Sequence, residues 1–137
     1  MGNPEAARCR VLIVDDEEST RLLLARIASQ DLGADAQLAG TCEQAIRLSE
    51  SHVYDVILLD LLMPGIGGRA VLDGIRATQA NAATPVIIVS IITDNHTIDS
   101  CLASGATAYH PKPVRRQELV AMIKGLLSAR RVATARK

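Results

Sequence analysis

Three continuous apolar runs punctuate the chain: Val11-Leu12-Ile13-Val14, Val56-Ile57-Leu58-Leu59 and Val86-Ile87-Ile88-Val89. None alternates with polar residues, so each reads as a strand buried on both faces, the pattern of parallel sheets. Each run stops on a polar residue: Asp15 with Asp16, Glu17 and Glu18 behind it, Asp60, and Ser90. Between them the period lengthens to that of helices. Leu23, Leu24 and Ile27 predict one helical face over Ser19 to Gln30, with Glu17 and Glu18 as capping acids at its positive end. Thr41 and Gln44 fit a capping box that opens a helix over about residues 42–51. Val71, Leu72 and Ile75 line a third helix, and Asn81 to Pro85 follow as a polar connection. Ile98, Cys101 and Leu102 line a fourth over Asp94 to Ser104, which Gly105 stops. Leu119, Met122, Ile123 and Leu126 predict a fifth. Weaker strands fall at Ala36 to Ala39 and Thr107 to Tyr109. Five strands alternating with five helices predict a doubly wound parallel sheet with helices on both faces.

The second run carries the most pointed feature, because a tight loop follows its terminal carboxylate at once. Pro64 pushes Met63 out of helical geometry, and Gly65, Gly67 and Gly68 permit turns that other residues resist. Asp60 is therefore either a residue that ends a strand and caps a turn, or a reactive or metal-binding carboxylate at the mouth of a crevice.

Composition narrows the chemistry. At 137 residues the length fits one domain. Apolar residues make up 48% but aromatics only 1%, so the core must be aliphatic and no aromatic platform exists for stacking bases. Lys plus Arg and Asp plus Glu balance at 15 each, so no global field draws the chain to nucleic acid or to an anionic membrane. Cys9, Cys42 and Cys101 are widely spaced and lack the pattern of a disulfide framework or zinc site, which predicts reduced, mostly buried thiols. The N-terminus lacks the apolar stretch of a signal peptide and no segment is long enough to cross a bilayer, so a cytoplasmic location is expected. His52, His96 and His110 show no ligand spacing and read as surface residues.

In a doubly wound sheet ligands bind at the carboxyl ends of the strands. Asp15, Asp16, Asp60 and Ser90 occupy those ends, with Lys112 just beyond the last strand. If the first and third strands are neighbours, their carboxylates converge, and two ionised carboxylates about 5 Å apart repel by roughly 3 kcal/mol at an effective dielectric near 20. Three in one pocket need a cation, and an all-oxygen set favours Mg²⁺. Lys112 and the Ser90 hydroxyl could then hold a phosphoryl group. No glycine-rich phosphate loop is present, and Gly65, Gly67 and Gly68 serve turn geometry instead.

With these features in order, the chain resembles the receiver domain of two-component response regulators, from about Cys9 to Ala129. Asp15-Asp16 look like the acidic pair, Asp60 with Met63-Pro64 and Gly68 like the phospho-acceptor loop, Ser90 and Tyr109 like the two switch residues, and Lys112-Pro113 like the phosphate-binding lysine with its proline. The resemblance implies the flavodoxin-like strand order 2-1-3-4-5. It implies that Asp60 takes a phosphoryl group from phosphohistidine on a histidine kinase or histidine phosphotransfer protein. Mg²⁺ would be held by Asp16, Asp60 and the Leu62 carbonyl, with Asp15 acting through water. Lys112 would pair with the aspartyl phosphate, Ser90 would swing toward it, and Tyr109 would rotate into the space vacated. The face of the fourth helix, fifth strand and fifth helix would then change its partners, often by homodimerising. Lys112–Pro113 would be a cis peptide. The chain would be a regulatory phospho-acceptor rather than an enzyme acting on other molecules.

Residues 1–8 are expected to be a disordered N-terminal segment, 9–129 the receiver domain and 130–137 a basic, frayed tail or linker stub. Ile91 departs from the small residue the family usually carries after its switch hydroxyl, and could crowd the phosphate. Leu62 and Ile92 are apolar where the family lines the path of the attacking water, which predicts a long-lived acyl phosphate. The alternative to phosphorylation is a receiver-like interaction module impaired in it. An aspartate-nucleophile phosphatase wants an acid at position 62, where the chain has Leu62.

Overall fold

The computed structural model describes the backbone of residues 9–135 and the side chains of residues 9–130. The expected disorder of residues 1–8 lies outside the described residues, as do residues 136 and 137. The strands are β1 (Arg10–Val14), β2 (Asp35–Ala39), β3 (Val56–Leu59), β4 (Val86–Ser90) and β5 (Ala108–Pro111). The helices are α1 (Glu18–Leu32), α2 (Cys42–Ser51), α3 (Gly67–Ala77), α4 (Asn95–Ala103) and α5 (Arg116–Ala135). All strand pairs are parallel and the sheet order is β2-β1-β3-β4-β5, as the resemblance implies.

The apolar runs divide their side chains between two layers, as the two-residue period of a strand requires. Leu12, Val14, Ile57, Leu59, Val86 and Ile88 face one layer, with Ala45 of α2, Val71, Leu72 and Ile75 of α3, and Cys101 of α4. Val11, Ile13, Val56, Leu58, Ile87 and Val89 face the other, with Leu24 and Ile27 of α1 and Leu119 and Ile123 of α5. Continuous apolar runs were therefore strands covered on both sides. Cys42 and Cys101 are buried and Cys9 is half-buried.

Several expectations need correcting. Leu23 and Leu102 stand exposed, because each lies off the face its helix turns to the sheet. Glu17 holds the cap position of α1 but no side-chain bond to a backbone N–H; instead its own N–H donates to Asp15 Oδ1 at 2.9 Å. At α2 the Thr41 hydroxyl accepts from Gln44 N–H at 3.1 Å, while the Gln44 amide oxygen reaches back to Gly40 N–H rather than to Thr41. β5 runs through Pro111, two residues beyond its expected end, so His110 lies in the sheet and not in a loop. It is 1% exposed, and its Nε2 accepts the N–H of Arg115 just ahead of α5 at 3.1 Å. His52 is half-buried rather than exposed. The segment 81–85 is no bland connection, because the side chains of Asn81 and Thr84 are buried. α5 runs from Arg116 to Ala135, and Arg130 donates to the carbonyls of Tyr54 and Asp55. Among the described residues no helix is long and apolar enough to cross a membrane.

Candidate functional site

The register of the sheet brings the carboxylates together. Val14 pairs with Leu59 on the adjacent strand, so Asp15 and Asp60 leave β1 and β3 side by side. Asp60 N–H donates to the Val14 carbonyl at 2.9 Å and Asp15 N–H to the Ala39 carbonyl at 3.1 Å, which continue the ladders one residue past the strands. Asp15, Asp16 and Asp60 each offer an oxygen within 4.8 Å of the others; Asp15 and Asp60 are buried and Asp16 is exposed. That is a hard, all-oxygen donor set open on one side, and it suits a divalent ion that retains waters.

Lys112 closes the opposite side. Its Nζ lies 2.8 Å from Asp15 Oδ2 and 3.4 Å from Asp60 Oδ2. Lys112 N–H donates to the Ser90 carbonyl at 2.9 Å, so the β4–β5 ladder fixes the root of the lysine. The Lys112–Pro113 bond is cis, as expected. Burial pulls the Lys112 ammonium down, but the Asp15 hydrogen bond and the charges of Asp60 and Asp15 outweigh it and hold its pKa above the usual value. Burial also raises the Asp60 carboxyl, against the Leu62 N–H bond and the Lys112 charge; the Asp15 charge pushes it the same way as burial. A carboxylate whose basicity is raised and whose cationic partner stays charged is suited to act as a nucleophile.

The loop after Asp60 is built for close approach. Leu62 N–H donates to Asp60 Oδ1 at 3.2 Å, and Gly68 N–H donates to the Leu61 carbonyl at 3.0 Å. Gly65 and Gly67 have positive φ, as the turn reading requires. Gly68 is needed for a different reason: a Cβ there would lie 2.2 Å from the Asp60 carbonyl oxygen. The backbone of α3 therefore sits directly on the chain as it leaves β3.

Ser90 is fully buried, and its Oγ accepts from Ile92 N–H at 3.3 Å. Tyr109 is half-buried and donates its hydroxyl hydrogen to the Ser90 backbone carbonyl at 3.3 Å. Ile91 and Leu62 are 64% and 49% exposed, whereas Ile92 is half-buried against the core. Sequence reasoning overlooked Arg21, whose Nη1 donates to the Asp15 carbonyl at 2.7 Å and so steadies the β1 end of the pocket. A lone arginine one turn into a helix gives no signal of that contact.

Fold and site together define a doubly wound α/β domain that presents an acidic pocket and one buried-rooted lysine at the carboxyl edge of its sheet. The model of the response regulator receiver domain matches residues 11–124, and the chain belongs to that family, the receivers of two-component systems. It is 32% identical over 128 residues to the sensory/regulatory protein RpfC of Xanthomonas campestris, covering 91% of this chain and 18% of RpfC. It is 32% identical over 123 residues to the DNA-binding response regulator MtrA of Mycobacterium tuberculosis, covering 90% of this chain and 52% of MtrA. The chain thus spans about half or less of the length of these curated relatives. Among solved structures, the receiver domain of the sensor histidine kinase PA1611 of Pseudomonas aeruginosa superposes with a TM-score of 0.80 at 26% identity, covering 89% of this chain and 99% of that one. That structure holds a magnesium ion coordinated in its active site cleft.

Proposed function

We propose that Asp60 is the phospho-acceptor of this receiver and that its donor is a phosphohistidine on a histidine kinase or histidine phosphotransfer protein. The observation that carries the reading is the convergence of Asp15, Asp16 and Asp60 within 4.8 Å, with Lys112 bonded across two of them. An Asp60 carboxylate oxygen attacks phosphorus; the bond to the imidazole nitrogen breaks, its electron pair stays on that nitrogen, and an acyl phosphate forms. The donor set fits Mg²⁺, which Asp16, Asp60 and the Leu62 carbonyl would hold directly and Asp15 through water, and which when bound supplies charge for the phosphoryl oxygens. Lys112 turns from Asp15 and Asp60 to the new phosphate. The Ser90 hydroxyl exchanges Ile92 N–H for a phosphate oxygen, and Tyr109, already on the Ser90 carbonyl, follows it inward. The α4–β5–α5 face then changes its preference for partners, a second copy of the chain among them. Apart from its own phosphorylation and dephosphorylation the domain catalyses nothing.

Titration of beryllium fluoride with Mg²⁺ tests this, since the trifluoride on a carboxylate mimics the acyl phosphate. Wild type should saturate and Asp60→Asn should not bind. Equal binding by both would overturn the assignment. One observation favours the second reading, an interaction module that is phosphorylated poorly: the bulky Ile91 directly follows Ser90 at the end of β4 and is exposed. On the phospho-acceptor reading its bulk hinders small donors only, and Ile91→Ala should take phosphate from acetyl phosphate several-fold faster than wild type. If neither protein does so and a phosphotransfer donor also fails, the second reading stands.

A further inference from the structure

Among the described residues, α4 buries the fewest side chains of any helix. α1, α2 and α3 each bury three or four residues, whereas Cys101 is the one buried residue in α4. Nine residues are too few for a helix to persist on local propensity alone. Asp94 caps its start through Thr97 N–H at 2.8 Å, but that bond is internal to the segment and does not fix its position on the sheet. Besides the buried Cys101, two arginines of α3 tie this segment to the fold. Arg69 donates from Nη1 to Ser100 Oγ at 2.8 Å and from Nη2 to Ser104 Oγ. The two serines are four residues apart and so lie on one face of the chain as it leaves α4. Arg76, two turns further along α3, donates to the Gly105 carbonyl at 3.0 and 2.7 Å and also to those of Asn81 and Thr84.

The two contacts differ in kind. Arg76 is part-buried and tied to three backbone carbonyls, so it is a fixed brace at the foot of α4. Arg69 is exposed and meets only hydroxyls, so its bonds can exchange with water at little cost. Arg69 also follows Gly68, whose backbone sits on Asp60 and Leu61. The geometry points to Arg69 as a latch: it holds α4 in the resting position through Ser100 and Ser104, and lets α4 swing about the Arg76–Gly105 brace when the acceptor loop shifts. It is a positioning residue that touches no phosphoryl group. This route from Asp60 to α4 runs through α3 and uses neither Ser90 nor Tyr109.

The inference rests on the proposed acceptor role of Asp60 only for its second half, and the test separates the two. Hydrogen exchange is measured on the full chain for wild type, Arg69→Ala, and Ser100→Ala with Ser104→Ala. Without ligand, both variants should exchange about tenfold faster over residues 95–104, with α1 and α3 unchanged. Combining all three substitutions should add nothing further, because one set of bonds is lost in each case. Wild-type exchange in α4 of Arg69→Ala, or loosening spread evenly over every helix, would overturn the latch. Titration of Mg²⁺ and beryllium fluoride into the same proteins should show a midpoint three- to tenfold lower in Arg69→Ala, since the latch no longer opposes the shifted state. An unchanged midpoint refutes the coupling. Failure of wild type to bind refutes the acceptor reading of Asp60 and leaves the exchange result to decide the resting latch by itself.

Discussion

Asp60 sits among opposed forces: burial and the Asp15 charge disfavour its ionised form, while Lys112 and the Leu62 N–H favour it, and burial prevails. A carboxyl with its folded pKa raised contributes most to stability below its unfolded value and loses that contribution as pH rises through the folded one. At neutral pH the ionised side chain is therefore a burden on the metal-free fold. Asp60→Asn should melt higher than wild type at pH 7 in the presence of a chelator, with the gap narrowing as pH falls toward the ordinary carboxylate range; scanning calorimetry at several pH values reads this directly. His110 runs the other way. Burial lowers its pKa, helped by Arg115 and resisted by Glu118, and its Nε2 must be unprotonated to accept from Arg115. Its stabilising effect is complete above about 6.5 and is lost as pH falls through that value toward the folded one. Wild type should accordingly lose melting temperature between about pH 7 and pH 5.5 more steeply than His110→Gln.

At the scale of elements, Gly68 makes the sharpest demand. A Cβ 2.2 Å from the Asp60 carbonyl oxygen cannot be absorbed by a side chain moving aside, because its neighbours are backbone. Gly68→Ala should cost about 3 kcal/mol or more in urea unfolding and displace the loop that follows Asp60. Thr41→Ala removes one cap bond from α2 and should cost about 1 kcal/mol while leaving Mg²⁺ and beryllium fluoride binding unchanged. This contrast explains what could be read from sequence. The runs at 11–14, 56–59 and 86–89 have one interpretation, since only a doubly covered strand is apolar at every position. Gly68 looked like a turn glycine because the signal for a turn and the signal for close approach are the same residue. β5 was drawn short because His110 and Pro111 look like loop residues, and the partner that satisfies the buried imidazole, Arg115 N–H, appears only once α5 is in place.

For the molecule as a whole, saturating ligand should act on stability by mass action. At a hundredfold excess over Kd, Mg²⁺ with beryllium fluoride should add about 2.7 kcal/mol, a rise in Tm of about 10 °C for a domain of this size, and should add nothing to Asp60→Asn. The carboxyl edge could be read from sequence because its chemistry lies at strand ends, where polar residues interrupt apolar ones. The amino edge could not. There Asn81 is fully buried: its Oδ1 accepts from Tyr54 N–H and the Thr84 hydroxyl, and its Nδ2 donates to the Ser49 and His52 carbonyls. Those main-chain partners lie 27 to 32 residues away in the chain, so this one amide stitches α2, β3 and the approach to β4 after all three have come together. Contacts so distant in sequence predict that its bonds form after the folding barrier. Asn81→Ala should leave the refolding limb of a chevron nearly in place and steepen the loss on the unfolding side, shortening the lifetime of the folded state more than the time needed to reach it.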